Sequence, residues 1–272
     1  YSLLSAVYWK NKKTISKGFF LKKKHSLGLV YYSFKLSFMR KLAVISSGTK
    51  GIGRATVEKF FKTGFDVVTC ARSEEDLRSL AIEMEQLDEG ALFTRATDMS
   101  KKEEVMTFAQ MIKELQRPVD VLVNNTGLFI PGAVHEEADG SLEQMIETNL
   151  YSAYYLTRAL IGSMKERKEG HIFTTGSIAG IQAYDNGGSY SISKFALLGF
   201  TKAIREEMKP HGVRVTSILP GATLTASWEG VELPVDRFMK PEDIADAIYG
   251  AHALSKQTVV EEIVLRPQLG DI

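Results

Sequence analysis

Tyr190 and Lys194 stand four residues apart in Tyr190-Ser191-Ile192-Ser193-Lys194, and Ser177 lies thirteen residues upstream of the tyrosine. On a helix, positions i and i+4 project from one face. An ammonium held beside a phenol favours the phenolate and draws its pKa down from about 10. That makes a tyrosine usable as a general acid or base. Such pairs also arise by chance on amphipathic helices, so the weight of the motif depends on what surrounds it.

A second cluster lies near the start of the body of the chain. Leu42 to Ile45 is an apolar run of strand character, followed by Ser46, Ser47 and a turn holding Gly48, Gly51 and Gly53, with Lys50 and Ile52 between them. A helix begins at about Arg54. Strand, side-chain-poor turn and helix N-terminus together aim backbone N–H groups at an anion. Alone, this is also what an ordinary glycine-rich strand-to-helix loop looks like.

Further on, the apolar strand from Val119 ends in Asn124, Asn125, Thr126 and Gly127. Asn149 lies inside a long helix, and Pro220-Gly221 follows the strand Val213 to Leu219, with Thr225 four residues beyond. In their order, these motifs resemble the short-chain dehydrogenase/reductase family over about Leu42 to Pro267. The Gly48-x-x-Gly51-x-Gly53 spacing is similar to that family's turn and differs from G-x-G-x-x-G. Two positions depart from the pattern: Ser46-Ser47 replaces Thr-Gly, and Thr126 replaces alanine. A left-handed backbone at Ser47 costs more for serine than for glycine. The sequence reading therefore expects a slightly rearranged turn, with a serine hydroxyl or N–H still facing phosphate.

The resemblance implies roles. Tyr190 donates a proton to a substrate carbonyl oxygen as hydride arrives. Lys194 lowers the Tyr190 pKa and bonds the nicotinamide ribose, Ser177 fixes the carbonyl, and Asn149 supports a water linking Lys194 to solvent. The implied cofactor residues are Ser47, Gly48, Lys50, Gly51, Ile52, Gly53, Arg72, Asp98, Met99, Asn125, Thr126, Gly127, Tyr190, Lys194, Pro220, Gly221 and Thr225. The family's ribose-binding acid falls at about Ala71, where this chain has none, and Arg72 follows. With Lys50, that arrangement favours NADP(H) over NAD, because a guanidinium makes bidentate bonds to a 2′-phosphate.

The elements that must position these residues alternate. Strands are expected at Phe65 to Cys70, Ala91 to Thr97, up to Asn125, His171 to Gly176, Val213 to Leu219 and Thr258 to Leu265, besides Leu42 to Ile45. Helices are expected from Ser73 to about Leu87, from a capping box at Ser100-Lys101-Lys102-Glu103 to about Leu115, and as one long helix from Ser141 to about Arg167. Two more run from Tyr190 to about Lys209 and from Pro241 through Leu254. This is an α/β pattern, a single Rossmann-like doubly wound domain with a seven-stranded parallel sheet flanked by helices.

Composition narrows the function classes. With 44% hydrophobic and 25% charged residues, the chain can bury one sizeable core. Its one cysteine, Cys70, excludes an internal disulfide framework and fits a reducing compartment, so a cytoplasmic location is expected. Five scattered histidines give no metal-ligand spacing. Residues 1–38 hold eight lysines, nine aromatics and no acid, leaving 26 of the 34 basic residues against all 33 acidic ones beyond them, a net −7. An acidic body argues against nucleic acid as a partner. Lysines interrupt every apolar stretch of residues 1–38, which excludes a membrane span there. A presequence and translated upstream DNA ahead of a start at Met39 both fit this basic leader. The second reading is favoured, with no regular structure expected before Met39 and the cofactor-binding domain spanning 39–272.

The substrate region is expected at Ala179 to Ser189 and Ala222 to Met239, with Tyr184, Trp228 and Phe238 as aromatic walls or loop anchors. The stretches from Pro220 to Trp228, Met239 to Ala245 and Thr258 to Ile272 look similar to bacterial sepiapterin reductase-type members, which reduce a pterin side-chain ketone; Asp271 is then either a contact to the pterin or a solvated acid. Alternatives are a 3-oxoacyl-[acyl-carrier-protein] reductase-like enzyme, for which Arg237 and Lys240 offer a thin basic patch, and a non-catalytic NADPH-binding regulator. Partners implied are a small-molecule carbonyl substrate and a second copy of the chain, as homodimer or homotetramer, with no nucleic acid and no membrane.

Overall fold

The computed structural model describes residues 19–25, 28–34, 40–87, 89–228, 230 and 232–272. Its strands in chain order are β1 (Phe19–His25), β2 (Gly28–Phe34), β3 (Leu42–Ile45), β4 (Asp66–Ala71), β5 (Leu92–Ala96), β6 (Val121–Asn124), β7 (Gly170–Thr175), β8 (Val213–Pro220) and β9 (Glu262–Leu265). They lie in one sheet in the order β1-β2-β5-β4-β3-β6-β7-β8-β9. The seven from β3 to β9 are all parallel, as the alternating sequence pattern predicts. Strand order reverses between β3 and β6, and the crevice above that switch point is where ligands bind in such sheets.

β1 and β2 pair antiparallel, and β2 joins the edge at β5 through Tyr31↔Thr94 and Tyr32↔Phe93. These two strands lie before Met39, where the sequence reading expects no regular structure; residues 1–18, 26–27 and 35–39 lie outside the described ones. Phe19-Phe20-Leu21 and Leu29-Val30-Tyr31-Tyr32 have strand propensity, and β5 otherwise presents an unpaired edge.

The helices are α1 (Gly51–Lys62), α2 (Glu74–Leu87), α3 (Lys102–Glu114), α4 (Ser141–Ile146), α5 (Ser152–Arg167), α6 (Gly188–Met208) and α7 (Pro241–Ala253). Alternation along β3 shows how they cover the sheet. Leu42 and Val44 face one layer with Phe108, Ile112, Leu156 and Leu160 of α3 and α5. Ala43 and Ile45 face the other with Phe60, Leu80 and Ile248 of α1, α2 and α7.

Three local features differ from the sequence reading. The long helix at 141–167 is interrupted by a π turn, Glu147–Tyr151, centred on Asn149. The capping box does not form: Ser100 N–H and Oγ–H donate to Asp98 Oδ1 at 3.0 and 2.7 Å, and α3 starts from Lys101 with no side-chain cap. β9 starts only at Glu262; ahead of it the Ser217 N–H donates to Glu261 O at 2.9 Å, Thr216 Oγ1 to Val260 O and Arg214 Nη1 to Thr258 O.

Candidate active site

A cleft of about 1130 Å³ opens above the carboxyl ends of the strands, with the glycine turn at one end and Tyr190 at the other. At the glycine end, the side-chain-poor surface is a steric requirement. A Cβ on Gly48 would collide with Thr69 Oγ1, and one on Gly53 with the Ser47 carbonyl and Asn125 Nδ2. Gly51 has φ +52 and abuts Thr225, so the loop after β8 crosses to the turn and closes that end of the cleft. Gly48 packs beneath the turn, its N–H donating to Cys70 O at 3.0 Å.

Ser47 adopts φ +55. The turn is therefore left-handed at the serine itself, correcting the expectation of a rearranged turn. The compensation comes from the other departure from the family pattern: Ser47 Oγ and Thr126 Oγ1 share a hydrogen bond of 2.8 Å, and Thr126 Oγ1 donates to Ser46 Oγ at 2.9 Å. Ser46 Oγ also accepts the N–H groups of Asn125 and Thr126. One hydroxyl cluster thus ties the turn to the end of β6, while Asn124 braces β6 to Thr157 of α5 at 2.8 Å.

Along the cleft lie Lys50, Ile52, Arg72, Asp98, Met99 and Thr225 with the glycine turn, and Gly127, Pro220 and Gly221 line it too. Lys50 pairs with Asp76 at 3.5 Å. Arg72 is exposed, and its charge reaches Asp98. Burial raises the Asp98 pKa, but the Ser100 hydrogen bonds, Lys101 and Arg72 outweigh it and hold the carboxyl below its ordinary range.

At the far end, Ser177 follows β7 and Tyr190 and Lys194 stand on the first turns of α6. Ser177 Oγ accepts the Ala179 N–H at 3.1 Å, and the serine side chain acts to lower the Tyr190 pKa. Lys194 is 4% exposed; its Nζ donates to Thr175 O at 3.0 Å and lies 5.6 Å from the Tyr190 ring centroid. Burial pushes the Tyr190 phenol up to about 12, against a lowering by Ser177, and brings Lys194 down to about 8. The sequence reading expects the lysine to lower the tyrosine. Here desolvation is the larger effect on both, because each is taken from water and the ammonium spends its hydrogen bond on a carbonyl.

Asn149 is fully buried behind the cleft. Its Oδ1 accepts the Leu128 N–H at 2.6 Å, and its Nδ2 donates to Leu128 O at 2.9 Å and to Ser193 Oγ at 2.8 Å. The side chain is a strap between the β6 loop and α6, with its hydrogen bonds spent on protein. A π turn shifts the backbone pairing by one residue, a device common at functional sites.

Of the expected aromatics, Tyr184 and Trp228 line the cleft, whereas Phe238 is buried and supports Trp228 edge-on at 5.1 Å. Phe129, Gln144, Arg266 and Asp271 line it too. Phe129 packs edge-on against Tyr190 at 4.8 Å, and Arg266 pairs with Asp271. Phe129, Gln144 and Arg266 are among the lining residues sequence reasoning missed; loop contacts across the fold leave no periodic signal. Among the described residues no cluster of metal ligands occurs and no helix is long and apolar enough to cross a membrane.

A parallel doubly wound sheet with a glycine cradle and a Ser/Tyr/Lys constellation over its switch point defines an oxidoreductase of the nucleotide-binding kind. Residues 41–234 match the family model of the short chain dehydrogenases, and the chain belongs to that family. It is 34% identical over 243 residues to sepiapterin reductase of Chlorobaculum tepidum, covering 86% of this chain and 99% of that one. Among solved structures it is similar to an alcohol dehydrogenase from Thermococcus sibiricus complexed with 5-hydroxy-NADP (TM-score 0.78, 30% identity, 85% and 97% of the two chains). It is also similar to L-sorbose reductase of Gluconobacter frateurii complexed with NADPH and L-sorbose (TM-score 0.78, 26% identity, 85% and 97%).

Proposed function

We propose that the protein is an NADPH-dependent carbonyl reductase in which Tyr190 is the general acid. The observation that carries this reading is Ser177, Tyr190 and Lys194 lining one end of a cleft whose other end is a glycine turn with no room for side chains. When bound, the cofactor supplies hydride. A phenol with its pKa raised to about 12 stays protonated at neutral pH, which suits donation to a carbonyl oxygen gaining negative charge. Ser177 supplies the second hydrogen bond to that oxygen. The charged form of Lys194 stabilises the phenolate left after transfer, and the Asn149 strap holds α6 against the β6 loop while this happens.

NADP over NAD is supported by the exposed guanidinium of Arg72 on the cleft lining, by the alanine at position 71 where an acid would repel a 2′-phosphate, and by the NADP complexes of the structural relatives. Because Lys50 shares its charge with Asp76, Arg72 carries most of the discrimination. Arg72→Asp is expected to reverse the NADPH-to-NADH preference in kcat/KM; an unchanged ratio would refute the assignment.

The substrate is a compact or flat ketone of the sepiapterin kind. The 34% identical relative supports this, as do walls of Phe129, Tyr184 and Trp228 and the polar group of Arg266 and Asp271. An acyl-carrier substrate is disfavoured because the Arg237 guanidinium faces the Gly270 and Asp271 carbonyls at 3.5 Å. Tyr151 of the π turn, Tyr154 of α5, and Ile192 and Phe195 of α6 leave an exposed apolar face that suits a homodimer or homotetramer. A buried, unreactive Cys70, its thiol pushed up to about 12 by burial, fits a cytoplasmic location. The test is NADPH consumption with sepiapterin, an acetoacetyl thioester and a simple diketone. Turnover of sepiapterin, lost in Tyr190→Phe, supports the reading; preference for the thioester moves the protein to fatty-acyl chemistry.

A further inference from the structure

α6 carries both Tyr190 and Lys194, yet its N-cap is Gly187, which offers no side-chain cap. A helix beginning without a cap leaves its first N–H groups without intrahelical partners. Here the missing acceptor comes from another part of the chain. Glu137 Oε1 accepts the Ser189 N–H at 2.8 Å, and Oε2 accepts the Ser189 hydroxyl. Ser189 is buried and immediately precedes Tyr190.

The loop that delivers Glu137 is built for the purpose. The Glu137 N–H donates to Ala133 O at 2.9 Å, and Gly132 N–H donates to Asn186 O at 3.0 Å beside a bridge between Gly132 and Gly187. A Cβ at Gly188 would collide with Glu137 Oε1 and the Gly132 carbonyl. The missing side chain at Gly188 therefore leaves room for this loop to seat on the helix end. The same loop begins with Phe129, packed on the Tyr190 ring, and Pro131, which lines the cleft.

We propose that Glu137 is a positioning residue for Tyr190: its carboxylate holds the first turn of α6, and the 129–137 loop couples the substrate wall to the placement of the phenol. A carboxylate at a helix N-terminus is also favoured by the helix dipole. Lys194 lies a turn deeper and is fixed by Thr175, so Glu137 acts on the tyrosine more than on cofactor binding. The inference rests on the carbonyl-reductase reading for its kinetic consequence but not for its structural one.

The experiment compares the full chain with Glu137→Ala and Glu137→Gln. Amide exchange is measured at residues 188–192 and in the strands, together with NADPH affinity by fluorescence and kcat and KM for a ketone. Loss of a helix cap predicts exchange at 188–192 faster by about fivefold or more in Glu137→Ala, with the strands unchanged. NADPH affinity is expected to stay within about twofold while kcat falls about tenfold. Glu137→Gln, whose amide can still accept from Ser189 N–H, is expected to restore most of both. Unchanged exchange at 188–192, exchange rising equally across the sheet, or a loss of NADPH affinity matching the loss of kcat would each overturn the proposal. If the unaltered protein reduces no ketone, the functional reading fails and the exchange data alone decide the role of Glu137.

Discussion

His171, at the start of β7, and Ser177, just past its end, lie at opposite edges of one sheet, and titratable groups are buried at both. At the start, the fully buried His171 ring stacks on Phe173 at 3.9 Å and shares a 2.8 Å hydrogen bond with Thr216 through Nε2. Burial first, then Arg214 and His252, bring its pKa down to about 2; burial, Arg214 and Lys41 bring that of His252 to about 4. At the far end, the same desolvation leaves Lys194 at about 8 and Tyr190 at about 12. One end is locked neutral through the working range of pH, while the other keeps a protonated phenol beside an amine that titrates near neutrality. Burial alone does not make a site; the direction in which it moves a group relative to working pH does.

The sharpest way to break this comparison is at the phenol. Removing a general acid costs about 10²–10⁴-fold in rate, so Tyr190→Phe is expected to lose turnover on that scale while NADPH still binds. Substantial residual reduction, measured by NADPH consumption, would mean that another group delivers the proton. The next effect is on pH. Lys194 is charged below about 8 and neutral above it, so kcat for reduction is expected to decline by up to about tenfold per unit as pH rises past that value. A flat profile across pH 7–9 would remove Lys194 from the proton-transfer step.

The histidine end predicts stability instead of rate. A base with a depressed folded pKa favours the folded state while neutral, so its contribution is present above the unfolded value of about 6.5 and lost as pH falls below it. For His171 the slope approaches about 1.4 kcal/mol per pH unit below 6.5. Denaturant melts of His171→Leu, compared between pH 7 and 5, are expected to show a shallower fall than those of the unaltered chain. The smallest expected effect is in the hydroxyl cluster. Ser47→Ala keeps the left-handed strain and loses the Thr126 bond, costing about 1 kcal/mol. Ser47→Gly loses the bond but relieves the strain and is expected near neutral. Equal losses in both, in thermal melts, would show that φ +55 costs serine nothing here.

Much of this was legible in the residues. Apolar runs such as Val67–Cys70 and Val121–Val123 have the period and length of buried strands, and the glycine spacing marks a turn that no side chain can enter, because those constraints are local. The π turn at Asn149 was not legible, since helix propensity across 141–167 gives no sign of a register shift. Nor was the Ser47–Thr126 bond, which joins residues 79 apart, or the Glu137–Ser189 contact across 52.

The sequence by itself determined the order of the elements and the strand ends that carry Ser177 and Gly127, and it set Tyr190 and Lys194 one helical turn apart. Those follow from periodicity and spacing. The tertiary structure decided how those groups are charged and held. Desolvation, the use of Lys194 on Thr175, and a cap for α6 borrowed from a distant loop all depend on which atoms exclude water around a group, and that is fixed only when the chain closes on itself.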